Sequence, residues 1–255
     1  MEPLINVKKL EKIFFTEKGG QVKALDAVDL SVNINDFICI VGPSGCGKST
    51  MLRIIAGLEE ASGGEVLYHG KPITSPGKER GMVFQEYSLL PWRSVIENVG
   101  LGLEFAGVPL KKRQKTALEY LRLVGLESFK EAYPYELSGG MQQRVAIARA
   151  LANNPEVLLM DEPFGALDAH TRIILQKELL RIWQNHQKTI LFVTHSVDEA
   201  VYLADKIIVM SARPGQIKQI ISVDMPRPRK RSNPLYGELT TTILGMLDEE
   251  LAKAV

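Results

Sequence analysis

The sequence predicts an α/β fold: a mostly parallel sheet covered by helices, with an antiparallel β flank and an inserted helical subdomain. Three features carry that expectation. Short, wholly apolar runs recur between helical stretches, as in strands buried on both faces of a parallel sheet. The first thirty residues alternate apolar and polar instead, and a long middle stretch shows helical periodicity with no strand pattern. The chain has 255 residues, 45% hydrophobic and 24% charged. That composition is globular and excludes disordered, collagen-like and coiled-coil classes, and the length suits one large domain or a core with a subdomain.

Taken in order, the alternating N-terminal residues read as antiparallel strands, and Phe37 to Val41 (FICIV) as the first buried strand. A helix follows, with Leu52, Ile55 and Leu58 sharing an apolar face. Met82 to Phe84 is a second short apolar run. From Val95 to Ala152 the pattern is helical, clearest over Lys115 to Val124 and Met141 to Ala152. Val157 to Met160, Ile190 to Val193 and Ile207 to Met210 are further buried strands, and Gln216 to Val223 alternates again. Beyond Met225 the run MPRPRKRSNP reads as a solvated basic loop, and Gly237 to Ala252 as a final helix. The expected boundaries are a core with its β flank at 1–86 and 153–224, a helical insertion at 87–152, and a C-terminal loop and helix at 225–255.

Lys and Arg (31) nearly balance Asp and Glu (30), for a net charge of +1, which argues against nucleic acid as a partner. No apolar run reaches the length of a membrane span. The N-terminal MEPLINVKKLEKIFF lacks the layout of a signal peptide. The two cysteines, Cys39 and Cys46, form no disulfide framework, so a cytoplasmic setting is expected.

The chemistry begins after FICIV. Gly42, Pro43, Ser44, Gly45, Cys46, Gly47, Lys48 and Ser49 match G-x-x-x-x-G-K-[ST] in full, between a buried strand and a helix. Glycines let the backbone curl until successive N–H groups face an anion, and the helix N-terminus adds its positive end. Lys48 can reach the β- and γ-phosphates, and the Ser49 hydroxyl can ligate Mg²⁺. Cys46, at the start of that helix, is expected to have a lowered thiol pKa and to react with thiol reagents, whereas Cys39 reads as an inert core residue.

Four polar residues follow apolar runs: Gln85, Asp161, Glu162 and His195. If those strands lie parallel to FICIV, all four reach the edge that carries the phosphate loop, where ligands of open α/β sheets bind. Asp161 suits Mg²⁺, and Glu162 suits taking a proton from an attacking water. Gln85 suits Mg²⁺ or water, and His195 lies between Thr194 and Ser196. Ser138, Gly139 and Gly140 open the helical run QQRVAIARALA. Locally this is an ordinary capped helix start or a second anion-binding turn. In the second case a homodimer, each copy's turn completing the other's nucleotide site, is the economical arrangement.

GPSGCGKST, the Gln85 loop, LSGGMQQR, LLMDEP, the Gly165-Ala166-Leu167-Asp168 loop and the Thr194-His195 pair come in an order and spacing that resemble ATP-binding cassette (ABC) proteins. The resemblance covers nearly the whole chain. It implies a P-loop NTPase (RecA-like) core and a head-to-tail dimer with two ATP molecules between its copies. It further implies that Gly42 to Thr50 form the P-loop, that Asp161 holds magnesium and that Glu162 is the catalytic base. Gln85 becomes the lid-loop glutamine, and His195 the γ-phosphate switch histidine. Asp168 links the two active sites, and Ser138, Gly139 and Gly140 contact the partner copy's γ-phosphate. An early aromatic, Phe14 with Phe15 close behind, stacks on adenine. One departure is Met141, where the signature commonly has Gln, which leaves the ordering of that turn open.

Within the family, SLLPWRSVIENVGLGLE (Ser88 to Glu104), THSVDEAVYLADKIIVMSARPG (Thr194 to Gly215) and MPRPR (Met225 to Arg229) resemble the nitrate, sulfonate, taurine and bicarbonate importers. That implies a peripheral ATPase at the cytoplasmic face of the membrane. Its partners would be a second copy of itself, two integral-membrane permease subunits and, indirectly, an extracytoplasmic solute-binding protein. Leu89, Leu90, Pro91 and Trp92 are the candidate permease groove. An importer of another solute class, a soluble ABC ATPase without a transporter and a small-molecule P-loop kinase are the alternatives.

Overall fold

The computed structural model describes residues 2–17, 19–165, 167–186 and 188–253. It divides into two compact units, Met1–Gly77 with Thr189–Val255, and Lys78–Lys188. The second unit is wider than the helical stretch at 87–152, because two strands and a further helix fall within it.

In the first unit, β1 (Ile5–Phe15) and β2 (Gln21–Val32) form an antiparallel hairpin. Beyond β3 (Phe37–Val41) and α1 (Lys48–Ala56), β4 (Gly63–Tyr68) pairs antiparallel with β1, and β5 (Lys71–Pro72) pairs with β4. These make a four-stranded antiparallel sheet in the order β2-β1-β4-β5. Of its members β4 has no sequence signal: it begins Gly63-Gly64 and buries only Val66, so neither alternation nor a continuous apolar run marks it.

The same unit holds a parallel array. All five residues of β3 are buried, a gain of about 1.5–3 kcal/mol for each large side chain. Numbering onward through the chain, β6 (Arg80–Val83), α2 (Val95–Val99), α3 (Leu101–Phe105), α4 (Leu110–Leu123), α5 (Gly139–Ala152), β7 (Val157–Asp161) and α6 (Ala169–His186) belong to the second unit. The first unit resumes with β8 (Thr189–Val193), α7 (Val197–Leu203), β9 (Lys206–Met210), β10 (Ile217–Ser222) and α8 (Pro234–Lys253). There β3 pairs parallel with both β8 and β9, and β10 closes antiparallel on β9. The two alternating regions of the sequence thus join different sheets.

Helix α1 stops two residues short of the last member of its apolar pattern. Gly57 takes a left-handed φ of 78°, and the Leu58 N–H bonds back to Arg53 O at 2.9 Å. Leu58 therefore falls outside the helix and is 46% exposed, while Leu52 and Ile55 are fully buried.

The basic run after Met225 corrects a second expectation. It is solvated only in part: Pro226, Pro228 and Lys230 are exposed, but Arg229 is buried, its guanidinium donating to Val201 O at 2.8 Å, Tyr202 O at 3.3 Å and Val223 O at 3.1 Å. Arg227 pairs with Asp205 and donates to Leu203 O at 2.6 Å, and Arg231 pairs with Asp198 at 2.7 Å. The last turn of α7 leaves carbonyls unpaired within the helix, and Arg227 and Arg229 satisfy them.

In the second unit β6 and β7 run parallel, Arg80 opposite Val157. Val95 and Val99 from α2, Ala117 and Leu121 from α4, and Val145 and Ala148 from α5 make a buried helical core. Ser94 and Glu97 form a capping box at the start of α2. The fully buried Asn98 amide ties down the preceding loop, donating to Leu90 O, Arg93 O and Ser94 O and accepting the Leu90 N–H. Among the described residues no helix is long and apolar enough to cross a membrane.

Candidate functional site

In the first unit, β3 ends at Val41 and the chain turns through Gly42–Gly47 into α1. Gly47 has φ +94°, and a Cβ there would lie 2.6 Å from Leu25 Cδ2 and 2.8 Å from Ala24 O. Only glycine fits, and the turn leaves the first N–H groups of α1 without side-chain caps. Lys48 is buried, its ammonium held at 2.8 Å by both Gly42 O and Pro43 O. Ser44 and Gly45 are exposed, while Pro43, Ser49 and Thr50 are half-buried. The loop is a backbone cradle with a cation folded against it.

Cys46 departs from expectation. It is 1% exposed, and burial pushes its thiol pKa up despite the neighbouring Lys48 ammonium. Desolvation of a thiolate outweighs the helix terminus here. Cys39 is fully buried and raised further for the same reason, in keeping with an inert core residue.

His195 belongs to the same unit. It follows β8, which pairs parallel with β3, and the Thr194 N–H bonds to Ile40 O at 3.1 Å. The P-loop and His195 thus leave the carboxyl ends of adjacent parallel strands, the edge where open α/β sheets bind ligands. Phe14 lies on β1, 39% exposed, with the Lys12 ammonium 4.9 Å from its ring centroid; Phe15 is 72% exposed.

The second unit brings Gln85, Asp161 and Glu162 together. Asp161 is not beyond β7 but its last residue, and it is buried. Glu162 takes a left-handed φ of 47° although it is not glycine. That conformation costs about 1–2 kcal/mol and re-aims the side chain at the end of the strand. Its Oε2 accepts the Gln85 amide at 3.3 Å.

The signature turn lies in this unit too. Ser138 caps α5, its Oγ accepting the Met141 N–H at 3.3 Å. A Cβ on Gly139 would meet the Tyr87 hydroxyl at 2.9 Å, and one on Gly140 would meet Leu167 Cδ2 at 3.3 Å, so both glycines sit close under side chains that would have to shift for a larger residue. Met141 contributes its N–H to the cap and its side chain to the helical core, while the Gln142 amide donates to Leu137 O at 3.2 Å. The turn is ordered without Gln at position 141. Asp168 caps α6, its Oδ1 accepting the Thr171 N–H at 3.0 Å, and hydrogen bonds from the Thr171 side chain first, then from that N–H, hold its pKa down. Ala166, in the same loop, lies outside the described residues.

A family model described as ABC transporter matches residues 25–165. The chain belongs to the ABC transporter family. An uncharacterized ABC transporter ATP-binding protein of Methanocaldococcus jannaschii is 55% identical over 255 residues, covering 100% of this chain and 95% of that one. A taurine import ATP-binding protein of Rhizobium johnstonii is 52% identical over 244 residues, covering 92% and 93%. Among solved structures, a dimeric ATP-binding cassette in a post-hydrolysis state, bound to ADP and Pi, matches with TM-score 0.78 and 34% identity, over 87% of this chain and 100% of that one. This ABC protein is an ATPase with the α/β cassette fold.

The residues of this ABC cassette suit Mg²⁺ by their chemistry. Ser49, Gln85 and Asp161 offer hard oxygen donors. Among the described residues no group of three or more His, Cys, Asp or Glu is placed to form a metal cage. Magnesium in nucleotide sites needs no cage, since it takes one or two protein ligands and completes its shell with phosphate and water.

Two features of this cassette escape motif reading. Arg213 Nε donates to Gly45 O at 2.8 Å, and Gly215 packs so closely on the P-loop that a Cβ would fall 1.9 Å from Cys46 O. In the second unit Arg149 Nη1 and Nη2 donate to Ser88 O at 2.6 Å and Tyr87 O at 2.9 Å, pinning the loop beyond Gln85. Neither arginine carries a local signal, because each acts on carbonyls more than sixty residues away in sequence. The candidate permease groove also divides: Leu89 packs against the helical core, while Trp92 is 70% exposed.

Proposed function

We propose that this chain is the ATP-hydrolysing subunit of a membrane importer for a small anion of the nitrate, sulfonate, taurine or bicarbonate class. The 52% identity to a taurine import subunit across 92% of the chain carries the reading, together with the quoted stretches around Trp92, His195 and Arg229. The working unit is a head-to-tail homodimer bound to two permease subunits at the cytoplasmic face of the membrane, served by an extracytoplasmic solute-binding protein.

Each residue then has a task. Backbone N–H groups of Gly42 to Thr50 and the Lys48 ammonium hold the ATP phosphates, and Phe14 stacks on adenine. Ser49, Asp161 and Gln85 would hold Mg²⁺, which neutralises charge on the β- and γ-phosphates. Glu162 takes a proton from water as its oxygen attacks the γ-phosphorus in line, and the bond to the β-phosphate oxygen breaks to release ADP. Gln85 and His195 hold the water and the γ-phosphate in place. Ser138, Gly139 and Gly140 contact the γ-phosphate bound to the other copy, and Asp168 links the two active sites. Loss of the γ-phosphate removes that contact and lets the dimer reopen. Positioned charge, rather than covalent chemistry, lowers the barrier.

The test is to tag the chain at its C-terminus, purify it from native membranes in mild detergent and identify what accompanies it. A multi-span permease is the expected companion, whose reconstituted uptake of sulfonates, nitrate and bicarbonate then fixes the solute. Recovery of a soluble complex alone overturns the importer in favour of an ABC ATPase without a transporter.

A further inference from the structure

One buried hydroxyl ties both neighbours of His195. The Thr194 Oγ1 donates to the Glu199 carboxylate at 2.6 Å and accepts the Ser196 N–H at 3.0 Å. The Glu199 N–H in turn donates to Ser196 Oγ at 3.3 Å, closing the cap of α7. Thr194 is 4% exposed and Glu199 3%, whereas His195 between them is exposed. From the other side, the Thr194 N–H is anchored to Ile40 O on β3.

A buried carboxylate is an expensive group, and the positive end of α7 offsets only part of that cost. The cap does not require it, because Ser196 already supplies the capping oxygen. What the carboxylate adds is direction. By accepting the Thr194 O–H it orients the hydroxyl so that a lone pair faces the Ser196 N–H, and the residues on both sides of His195 are tied to one another.

We propose that Glu199 is a positioning residue for ATP hydrolysis, acting through Thr194 to hold the backbone from which His195 projects. This rests on His195 as the γ-phosphate residue. Glu199 is buried, so its part is to remove freedom from the loop that carries His195. Its loss should therefore act on turnover, since a displaced group costs rate while ATP remains bound by the P-loop.

Steady-state ATPase and ATP binding of the full chain test it, with a melting curve for each variant. Glu199→Ala and Thr194→Val should each lower kcat by about tenfold, with KM for ATP within about twofold. Glu199→Gln keeps an acceptor oxygen and Thr194→Ser keeps the hydroxyl, so both should recover most of the rate. In a His195→Ala background neither Glu199→Ala nor Thr194→Val should cost further turnover. A separate additive loss there, or wild-type kcat in Thr194→Val, overturns the proposal. Should Glu199→Ala fail to fold, the Thr194 pair alone decides it. A His195→Ala chain with undiminished turnover would instead overturn the role of His195 itself.

Discussion

Arg229 brings a full charge into the protein and spends it on backbone carbonyls of Val201, Tyr202 and Val223. Burial lowers its pKa to about 10, so it remains cationic at neutral pH. A guanidinium suits this place because its planar fork presents five donors at once, against three on a compact ammonium. Arg229→Met should destabilise the protein by about 3 kcal/mol, since several buried acceptors lose their donor together. Arg229→Lys should recover only part of that. Urea denaturation followed by circular dichroism reads both, and a methionine variant as stable as wild type would make the segment the solvated loop its composition suggests. Sequence reading failed at this residue for a physical reason: a run of cations is solvated unless the fold brings unpaired carbonyls to it, and those lie on α7 and just after β10. The phosphate loop was legible for the opposite reason. Its anion cradle is built by consecutive residues, so the glycines, Lys48 and Ser49 appear side by side in the chain. Glu162 lies between these cases. Its identity could be read, but its left-handed backbone and its bond to Gln85 could not.

At the scale of elements, continuous apolarity located β3, β7, β8 and β9, because a strand buried on both faces has no alternative composition. The half-exposed β4 lacked that signature, and α1 ended early because Gly57 offers the left-handed conformation that terminates a helix. Helix α8 was legible as a helix, but not its attachment. It is fastened through Glu250, which is 4% exposed and accepts from Lys253 at 2.7 Å and the Ala212 N–H at 3.1 Å, with Lys218 at 3.1 Å. The Lys253 hydrogen bond, followed by those from Lys218 and Ala212, pulls its pKa from 4.5 to about 2. A carboxyl whose folded pKa is depressed adds stability above its unfolded value and loses it as pH falls through the folded one. The window here runs from about pH 4.5 down to about 2. Glu250→Gln should lower Tm by a few degrees near neutral pH. The gap to wild type should narrow progressively below about pH 4.5. Parallel melting curves check this, and a gap that is constant with pH would mean that the ionised carboxylate is not what fastens α8.

For the whole molecule, the proposed composite nucleotide site answers a mismatch of parts. Each chain has one P-loop, from Gly42 to Thr50, and one signature turn, from Ser138 to Gly140, which the proposed function makes a second backbone anion site. A single ATP needs one phosphate cradle at its near side, so a second cradle in the same chain is left for the ATP of another copy. A head-to-tail pair satisfies both, which is why a cyclic dimer is the smallest closed assembly. The matching solved cassette is itself dimeric with ADP and Pi bound. Slow hydrolysis should make this pairing visible. Glu162→Gln keeps the shape of the side chain but cannot take a proton from water, so Mg²⁺–ATP should convert it to a stable dimer that elutes at twice the mass of one chain. Ser138→Arg added to Glu162→Gln should abolish the dimer while leaving ATP bound, because only the second cradle is blocked. Lys48→Ala added instead should abolish both, because the first cradle loses its cation. Size-exclusion chromatography with light scattering, alongside nucleotide binding, separates the three. A Ser138→Arg double variant that still dimerises on ATP would show that the signature turn is no part of the partner's site, and the homodimer would then need a different contact to hold it together.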